Sequence, residues 1–97
     1  MDETKALNLL GLAMRAGQVT SGDDMVEREV RSGRAALVML DAGASERTRD
    51  KYVTLGKGRG IPLHEVSADA LGRAIGKEGR MIAAVKKGPL AKQLAML

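Results

Sequence analysis

The 97-residue sequence predicts an α/β fold in which helices cover both faces of a central four-stranded sheet. Glycines divide the chain into segments that alternate between helical and extended patterns. Two extended segments, 36–40 and 81–85, are uninterrupted apolar runs of strand length, which is typical of strands buried on both faces. The length suits one modest core, so we expect residues 1–97 to form a single domain.

The predicted elements alternate between helix and strand, with about five helices and four strands. In chain order they are a helix over 4–16, an extended segment over 18–20, a helix over 21–33, a strand over 36–40, a helix that starts at 45 and ends within the glycines at 56–60, a strand over 61–66, a helix over 67–76, a strand over 81–85 and a helix over 89–97.

The first two helices are predicted by apolar spacing and by end signals. In the first, Leu7, Leu10 and Met14 fall on one face at helical spacing. In the second, Ser21 can cap the helix, and Asp24 follows three places later, as in a capping box. The chain before Ser21, residues 18–20, is expected to be a short extended segment and the first of the four strands.

The later helices and strands are predicted mainly from serine and proline residues at positions where such elements begin. Ser45 and Ser67 are suited to begin the third and fourth helices as capping residues. Pro62 stands near the start of a predicted strand, where a missing backbone donor is tolerated. Pro89 suits the first turn of the last helix.

Composition and charge narrow the classes of function. The chain has no cysteine, which excludes disulfides and cysteine-ligated zinc and favours a reducing compartment. No segment resembles a signal peptide or a membrane span, so we expect a cytoplasmic protein with no membrane partner. Residues 1–50 contain seven Lys/Arg and nine Asp/Glu, whereas residues 51–97 contain nine and three. This basic half indicates a polyanionic partner; on charge alone, a merely solvated basic surface is equally well supported.

No group of residues predicts an enzyme or a metal site. The single histidine, His64, is interpreted as a partly exposed strand residue. The segment 56–60, Gly-Lys-Gly-Arg-Gly, follows a helix, whereas a phosphate-binding loop precedes one, so we interpret it as a flexible basic turn able to contact an RNA backbone. The acidic residues of the second helix are explained by capping and the helix dipole. We expect no catalysis, no metal and no cofactor.

Aromatic residues restrict the modes of RNA binding. Tyr52 is the only aromatic residue in the sequence. Domains that bind single-stranded RNA on a sheet surface need exposed aromatic side chains on which bases stack. An RNA-binding role here would therefore use shape, backbone contacts and base edges presented to a helix end or a loop.

Three stretches resemble a known family. The stretch 21–40, from Ser-Gly-Asp-Asp-Met-Val to Arg-Ser-Gly-Arg-Ala-Ala-Leu-Val-Met-Leu, resembles the second helix and following strand of the kink-turn-binding ribosomal protein superfamily of the L7Ae type. The stretch 71–78, Leu-Gly-Arg-Ala-Ile-Gly-Lys-Glu, resembles that family's signature before its last strand, and 9–17 looks like its bacterial YlxQ-like branch. The resemblance implies a three-layer α/β/α sandwich with a four-stranded mixed sheet.

The resemblance also implies a site for kink-turns, which are RNA helices bent sharply at an internal loop beside sheared G·A pairs. In such proteins the start of the second helix enters the major groove at the G·A pairs, and the loop before the last strand holds the splayed-out nucleotides. The implied RNA-binding residues are Ser21, Gly22, Asp23, Asp24, Met25, Arg28, Ile75, Gly76, Lys77, Glu78, Gly79 and Arg80.

Several of these residues depart from the family's pattern or have a simpler explanation. Many members have Asn or Lys at the position of Asp24, and Glu or Gln at the position of Met25. Here, an ionised Asp24 can only accept hydrogen bonds, and the Met25 side chain forms no good hydrogen bond. Lys77 replaces a common apolar residue and favours contact with the RNA backbone, as does Arg80. The segment 21–24 also fits a helix cap alone.

Two further residues have structural alternatives. Ile75 can be a core residue, with Gly76 merely ending its helix. Arg28 can pair with Asp24, four residues earlier.

The expected partner is structured RNA, either ribosomal RNA or a kink-turn, bound by a monomer that also contacts ribosomal proteins. A second hypothesis is a ribosome-associated protein-interaction module, in which the acidic second helix meets a basic protein. The acidic residues concerned are Asp23, Asp24, Glu27 and Glu29.

Overall fold

A computed structural model describes residues 2–97, which form five helices and four strands in alternating order. The elements are α1 (Glu3–Arg15), β1 (Val19–Ser21), α2 (Asp23–Arg31), β2 (Ala35–Asp41), α3 (Glu46–Arg59), β3 (Leu63–Val66), α4 (Ala70–Ile75), β4 (Ile82–Lys86) and α5 (Pro89–Ala95). None of these helices combines the length and the apolar character needed to cross a membrane.

The four strands form one mixed sheet in the order β1-β4-β2-β3. β2 is parallel to β3 and antiparallel to β4, and β4 is antiparallel to β1. Val38 of β2 lies opposite Leu63 on one side and Ala84 on the other. The predicted four-stranded mixed sheet is thus confirmed, with β2 and β4 at its centre.

Two apolar cores lie on opposite faces of the sheet. Leu37 and Met39 of β2 belong to the core that α1, α4 and α5 cover, together with the fully buried Leu10 of α1. Val38 and Leu40, which alternate with them, belong to the core that α2 and α3 cover. This alternation of side chains along a buried strand produces the three-layer α/β/α sandwich that the resemblance implies.

The start of α2 differs from the prediction. Ser21 is the last residue of β1, paired with Ala83 of β4, and therefore does not cap a helix. Gly22 occupies the capping position with a φ of 91°, and no side chain caps the helix, so the expected capping box with Asp24 is absent from this part of the described chain. Pairing in the sheet holds Ser21 in an extended conformation, which leaves the turn into α2 to the glycine.

The segment 56–60 was wrongly predicted to be a flexible turn. α3 continues to Arg59 and ends at Gly60, whose φ of 67° is left-handed. Gly56 lies inside the helix, where an added Cβ would be 2.9 Å from the carbonyl oxygen of Ile61. Gly56 therefore permits close packing of the chain that leaves the helix, rather than ending it.

Of the two later helix caps predicted at serine residues, one is confirmed and one is wrong. Ser45 caps α3 by accepting a hydrogen bond from the Thr48 amide, as predicted. Ser67 does not cap α4 with its side chain, because its hydroxyl donates to the Glu3 carboxylate at 2.6 Å. His64 is a half-exposed residue of β3, as expected, and partial burial lowers its pKa.

Candidate nucleic-acid interface

The sheet brings the two segments of the predicted site together at one end of the molecule. Ser21 at the end of β1 lies opposite Ala83 near the start of β4. The Gly22 amide donates to the carbonyl oxygen of Ile82 at 3.1 Å, which extends this pairing to the start of α2. The helix start and the loop before β4 are therefore neighbours, although more than fifty residues separate them in the chain. We call this part of the molecule the α2 end.

Arg80 links the two segments directly. Its Nη1 atom donates to the backbone carbonyl of Ser21 and to the Ser21 hydroxyl, both at 3.0 Å. A Cβ atom on Gly22 would lie only 2.9 Å from that same Nη1 atom. The absence of a side chain at Gly22 thus lets the guanidinium reach Ser21. Arg80 positions the helix start, in addition to any direct role in RNA contact.

The loop before β4 lies directly on α4. A Cβ atom on Gly72 would be 2.7 Å from the carbonyl oxygen of Lys77, so only glycine permits this packing. The Lys77 amide donates to the Gly72 carbonyl at 2.8 Å, and the Gly76 and Gly79 residues turn the chain with φ values of 71° and 83°. The glycine pattern of the signature therefore fixes the loop's path and presents Lys77 to solvent.

A buried carboxylate holds the start of α4. Asp41, at the end of β2, is fully buried, and its Oδ1 atom accepts from the amides of Gly43 (2.8 Å) and Asp69 (3.0 Å). Its Oδ2 atom accepts from the Leu71 amide at 3.1 Å. Asp41 thus supplies from another element the cap that α4 lacks locally. Sequence reasoning missed this role; the available signal was an acidic residue directly after a buried apolar run.

Asp23 is engaged with α3. Its Oδ1 atom accepts from the Lys51 ammonium at 2.8 Å and from the Tyr52 hydroxyl at 2.6 Å. The hydrogen bond from Lys51, followed by that from Tyr52, lowers the pKa of Asp23. Burial and the bond to Asp23 raise the pKa of Tyr52. The carboxylate therefore joins α2 to α3. Sequence reasoning missed Lys51 and Tyr52, which support the helix start from α3.

The remaining predicted residues divide into exposed and buried side chains. Ile75 is only 6% exposed and belongs to the apolar core beside α1, which supports its structural interpretation. Met25 is 46% exposed. Asp24 and Arg28 are also exposed, and the described residues show no ion pair between them.

Further residues at the α2 end also divide into buried and exposed positions. Ser21 is buried, whereas Gly76, Lys77, Glu78 and Gly79 are exposed. The surface at this end thus combines an uncapped helix start with a glycine-shaped loop.

The acidic face of α2 is largely paired within the protein. The Glu27 carboxylate lies 2.6 Å from the Lys51 ammonium and 2.7 Å from Arg31. Glu29 is buried and lies 3.0 Å from Arg34. These pairs reduce the acidic surface that a basic protein partner would meet.

Known proteins resemble the chain over nearly its whole length. A profile of the Ribosomal protein L7Ae/L30e/S12e/Gadd45 family matches residues 4–95. The RNA-binding protein YlxQ of Bacillus subtilis (strain 168) is 43% identical over 90 residues, which cover 92% of this chain and 90% of that protein. The RNA-binding protein YlxQ of Enterococcus faecium is 33% identical over 85 residues, covering 87% and 82%.

Two solved structures share the fold. A protein of unknown function from Bacillus halodurans C superposes with a TM-score of 0.90 at 38% identity, covering 97% of this chain and 96% of that chain. The Giardia lamblia 15.5kD RNA binding protein superposes with a TM-score of 0.84 at 20% identity, covering 99% and 83%. The second likeness, at this low identity, is evidence of a common fold.

Proposed function

Because the chain belongs to the Ribosomal protein L7Ae/L30e/S12e/Gadd45 family, we propose that it is a non-catalytic RNA-binding protein that recognises kink-turn-like structured RNA. The binding surface is the α2 end. The observation that carries this proposal is the link from Arg80 to Ser21, which joins the helix start and the loop before β4 into one surface. The names of the YlxQ relatives support RNA as the partner.

The uncapped start of α2 supports contact with the RNA backbone or with base acceptors. The first amides of a helix have no partner within the helix, and the positive end of the helix dipole lies there. No side chain accepts a hydrogen bond from these amides in the described structure, and Gly22, beside which the Arg80 guanidinium lies, adds no side chain of its own. An RNA oxygen can therefore reach the amides of this turn directly.

The loop before β4 supplies the second half of the proposed surface. Lys77 is exposed beside the backbone turn that Gly76 and Gly79 create. Its ammonium provides a phosphate contact, while the exposed glycine backbone leaves space for an unstacked nucleotide. Arg80 uses one guanidinium nitrogen within the protein but keeps its positive charge, because its two acceptors on Ser21 are neutral, so Lys77 and Arg80 both attract RNA phosphates to this loop.

The proposal is tested by an electrophoretic mobility shift with a kink-turn RNA. The control RNA has the same stems, with the sheared G·A pairs replaced by Watson–Crick pairs. We expect the protein to bind the kink-turn at least about fivefold more tightly, because the loss of recognition at one base pair costs about 1–3 kcal/mol. Equal, weak binding to the two RNAs would refute kink-turn recognition.

A further inference from the structure

A positively charged surface lies at the end of the sheet opposite the α2 end. The strand directions place the start of β2, the start of β3 and the end of β4 there, together with the end of α3. We call this the basic end. Its basic residues are Arg34, Lys57, Arg59, Lys86, Lys87 and Lys92. Two acidic residues of α2 lie nearby and are paired within the protein: Glu29, which is buried, with Arg34 at 3.0 Å, and Glu27 with Arg31 at 2.7 Å.

The basic end contains a cleft between α2, α3 and the sheet. The cleft has a volume of about 600 Å³ and is lined by Arg59, Lys87 and three glycines, among other residues. At these glycines, Gly33, Gly58 and Gly60, a Cβ atom would meet nothing within 4 Å, so the backbone is open to a ligand. An extended anion can thus approach the backbone between two cationic side chains.

The cations around the cleft are held near one another by the fold. The Nη1 atom of Arg59 donates to the carbonyl oxygen of Arg31 at 2.7 Å, which anchors the guanidinium. The Lys87 amide donates to the carbonyl oxygen of Arg34 at 3.1 Å, so these two basic residues are neighbours. Lys87 and Lys92 also line an adjoining apolar cleft of about 300 Å³. The positive charge is therefore concentrated rather than spread over the surface.

Favourable interaction with helix dipoles explains the position of only some of the basic residues at the basic end. Lys57 and Arg59 stand in the last turn of α3, where cations stabilise a helix. Lys86 and Lys87 instead precede Pro89, the first residue of α5, and the positive end of a helix dipole disfavours cations there. Like charges brought together lower stability unless an anion is bound. The arrangement thus points to an anionic partner.

We propose that the basic end is a second RNA contact, which binds the phosphate backbone of an RNA segment other than the one held at the α2 end. The choice of RNA among polyanions rests on the proposed function. The seven residues of β2 separate the two ends by about 20 Å, so each surface can hold its own segment. One copy of the protein would then bridge two parts of a folded RNA.

The test measures whether the protein, saturated with a kink-turn hairpin, captures a labelled plain RNA duplex without an internal loop. The variant K57Q/K87Q/K92Q removes three exposed charges from the basic end. The control variant K5Q/R47Q/R73Q removes three exposed charges elsewhere. We expect the first variant to capture the duplex about tenfold less well, with a log–log salt slope smaller by about 2, and the control to behave like the wild type.

The outcomes separate this inference from the proposed function. If the wild type binds the hairpin without regard to its G·A pairs, yet needs the basic end to bind the plain duplex, kink-turn recognition fails and the second contact stands. If the two triple variants capture the duplex equally, the second contact is refuted. The RNA assignment is also refuted if polyglutamate or phosphatidylserine vesicles bind the basic end and the duplex does not.

Discussion

The two ends of the sheet use their cationic side chains differently. At the α2 end, Arg80 and Lys51 donate hydrogen bonds of 3.0 Å or less to groups of β1 and α2, so these cations hold parts of the protein together. At the basic end, Lys57, Lys87 and Lys92 are exposed and have no ion-pair partner among residues 2–97. The α2 end is thus defined mainly by its shape, and the basic end by its charge.

This difference changes what can be inferred from the excess of basic residues in the second half of the sequence. Most basic residues of the chain after residue 51 lie at the basic end, away from the site that the family resemblance implies. A basic half of a sequence therefore indicates a polyanionic partner without locating the surface that recognises it. The following changes test whether shape and charge are divided between the two ends in this way.

The largest expected effect is the loss of the carboxylate that shapes the α2 end. Replacing Asp41 by Ala leaves three backbone amides near a buried position without their acceptor, which should lower the free energy of unfolding by about 3 kcal/mol. Denaturant unfolding measures the change. The control is Asp50→Ala, an exposed position on α3, with an expected change below about 0.5 kcal/mol. Equal, small effects of the two changes would show that Asp41 does not hold α4.

The next effect concerns the glycine at the start of α2. Gly22→Ala forces a side chain into a φ of 91° and places its Cβ 2.9 Å from Arg80, which should cost about 2 kcal/mol of stability. The substitution should also weaken kink-turn binding without changing capture of a plain duplex at the basic end. Gly17→Ala is the matched control, since Gly17 also has a positive φ but an added Cβ meets nothing within 4 Å. If both variants bind the kink-turn equally well, the Gly22–Arg80 arrangement does not shape the site.

A smaller effect is expected from the bond between α2 and α3. Tyr52→Phe removes the hydroxyl that donates to Asp23 and should cost about 1 kcal/mol at neutral pH. The pKa of Asp23 is lowered by folding, so its stabilising contribution is present above its ordinary value of 3.8 and is lost as the pH falls through the folded-state pKa. The hydroxyl also lies 2.8 Å from the backbone carbonyl oxygen of Asp23, which does not titrate, so the cost of Tyr52→Phe should shrink in acid without vanishing. Unfolding curves of wild type and variant across the acid range measure this, and a cost independent of pH would contradict the assignment.

The fold followed from the sequence more fully than the site did. Alternating apolar strands and helices have local patterns, and these gave the element order and the buried central strands. The cap supplied by Asp41, and the bonds from Lys51 and Arg80, join residues about thirty to sixty positions apart. No local pattern encodes such partners. Ser21 shows the same limit, because its pairing with Ala83 overrides its local preference to cap a helix.

The smallest expected effect concerns the charge that remains exposed at the α2 end. Asp24 is exposed in the first turn of α2 and has no ion-pair partner among residues 2–97, so its negative charge would face RNA phosphates across solvent. Asp24→Asn removes this repulsion and adds a donor, which should tighten kink-turn binding about threefold at low salt, with a smaller gain as salt screens the charges. Asp50→Asn, an equal change of charge on α3, should leave kink-turn affinity unchanged. A gain from Asp24→Asn that also appears for the plain duplex would mean that net charge governs both ends. A gain confined to the kink-turn would instead locate the G·A pairs beside the first turn of α2.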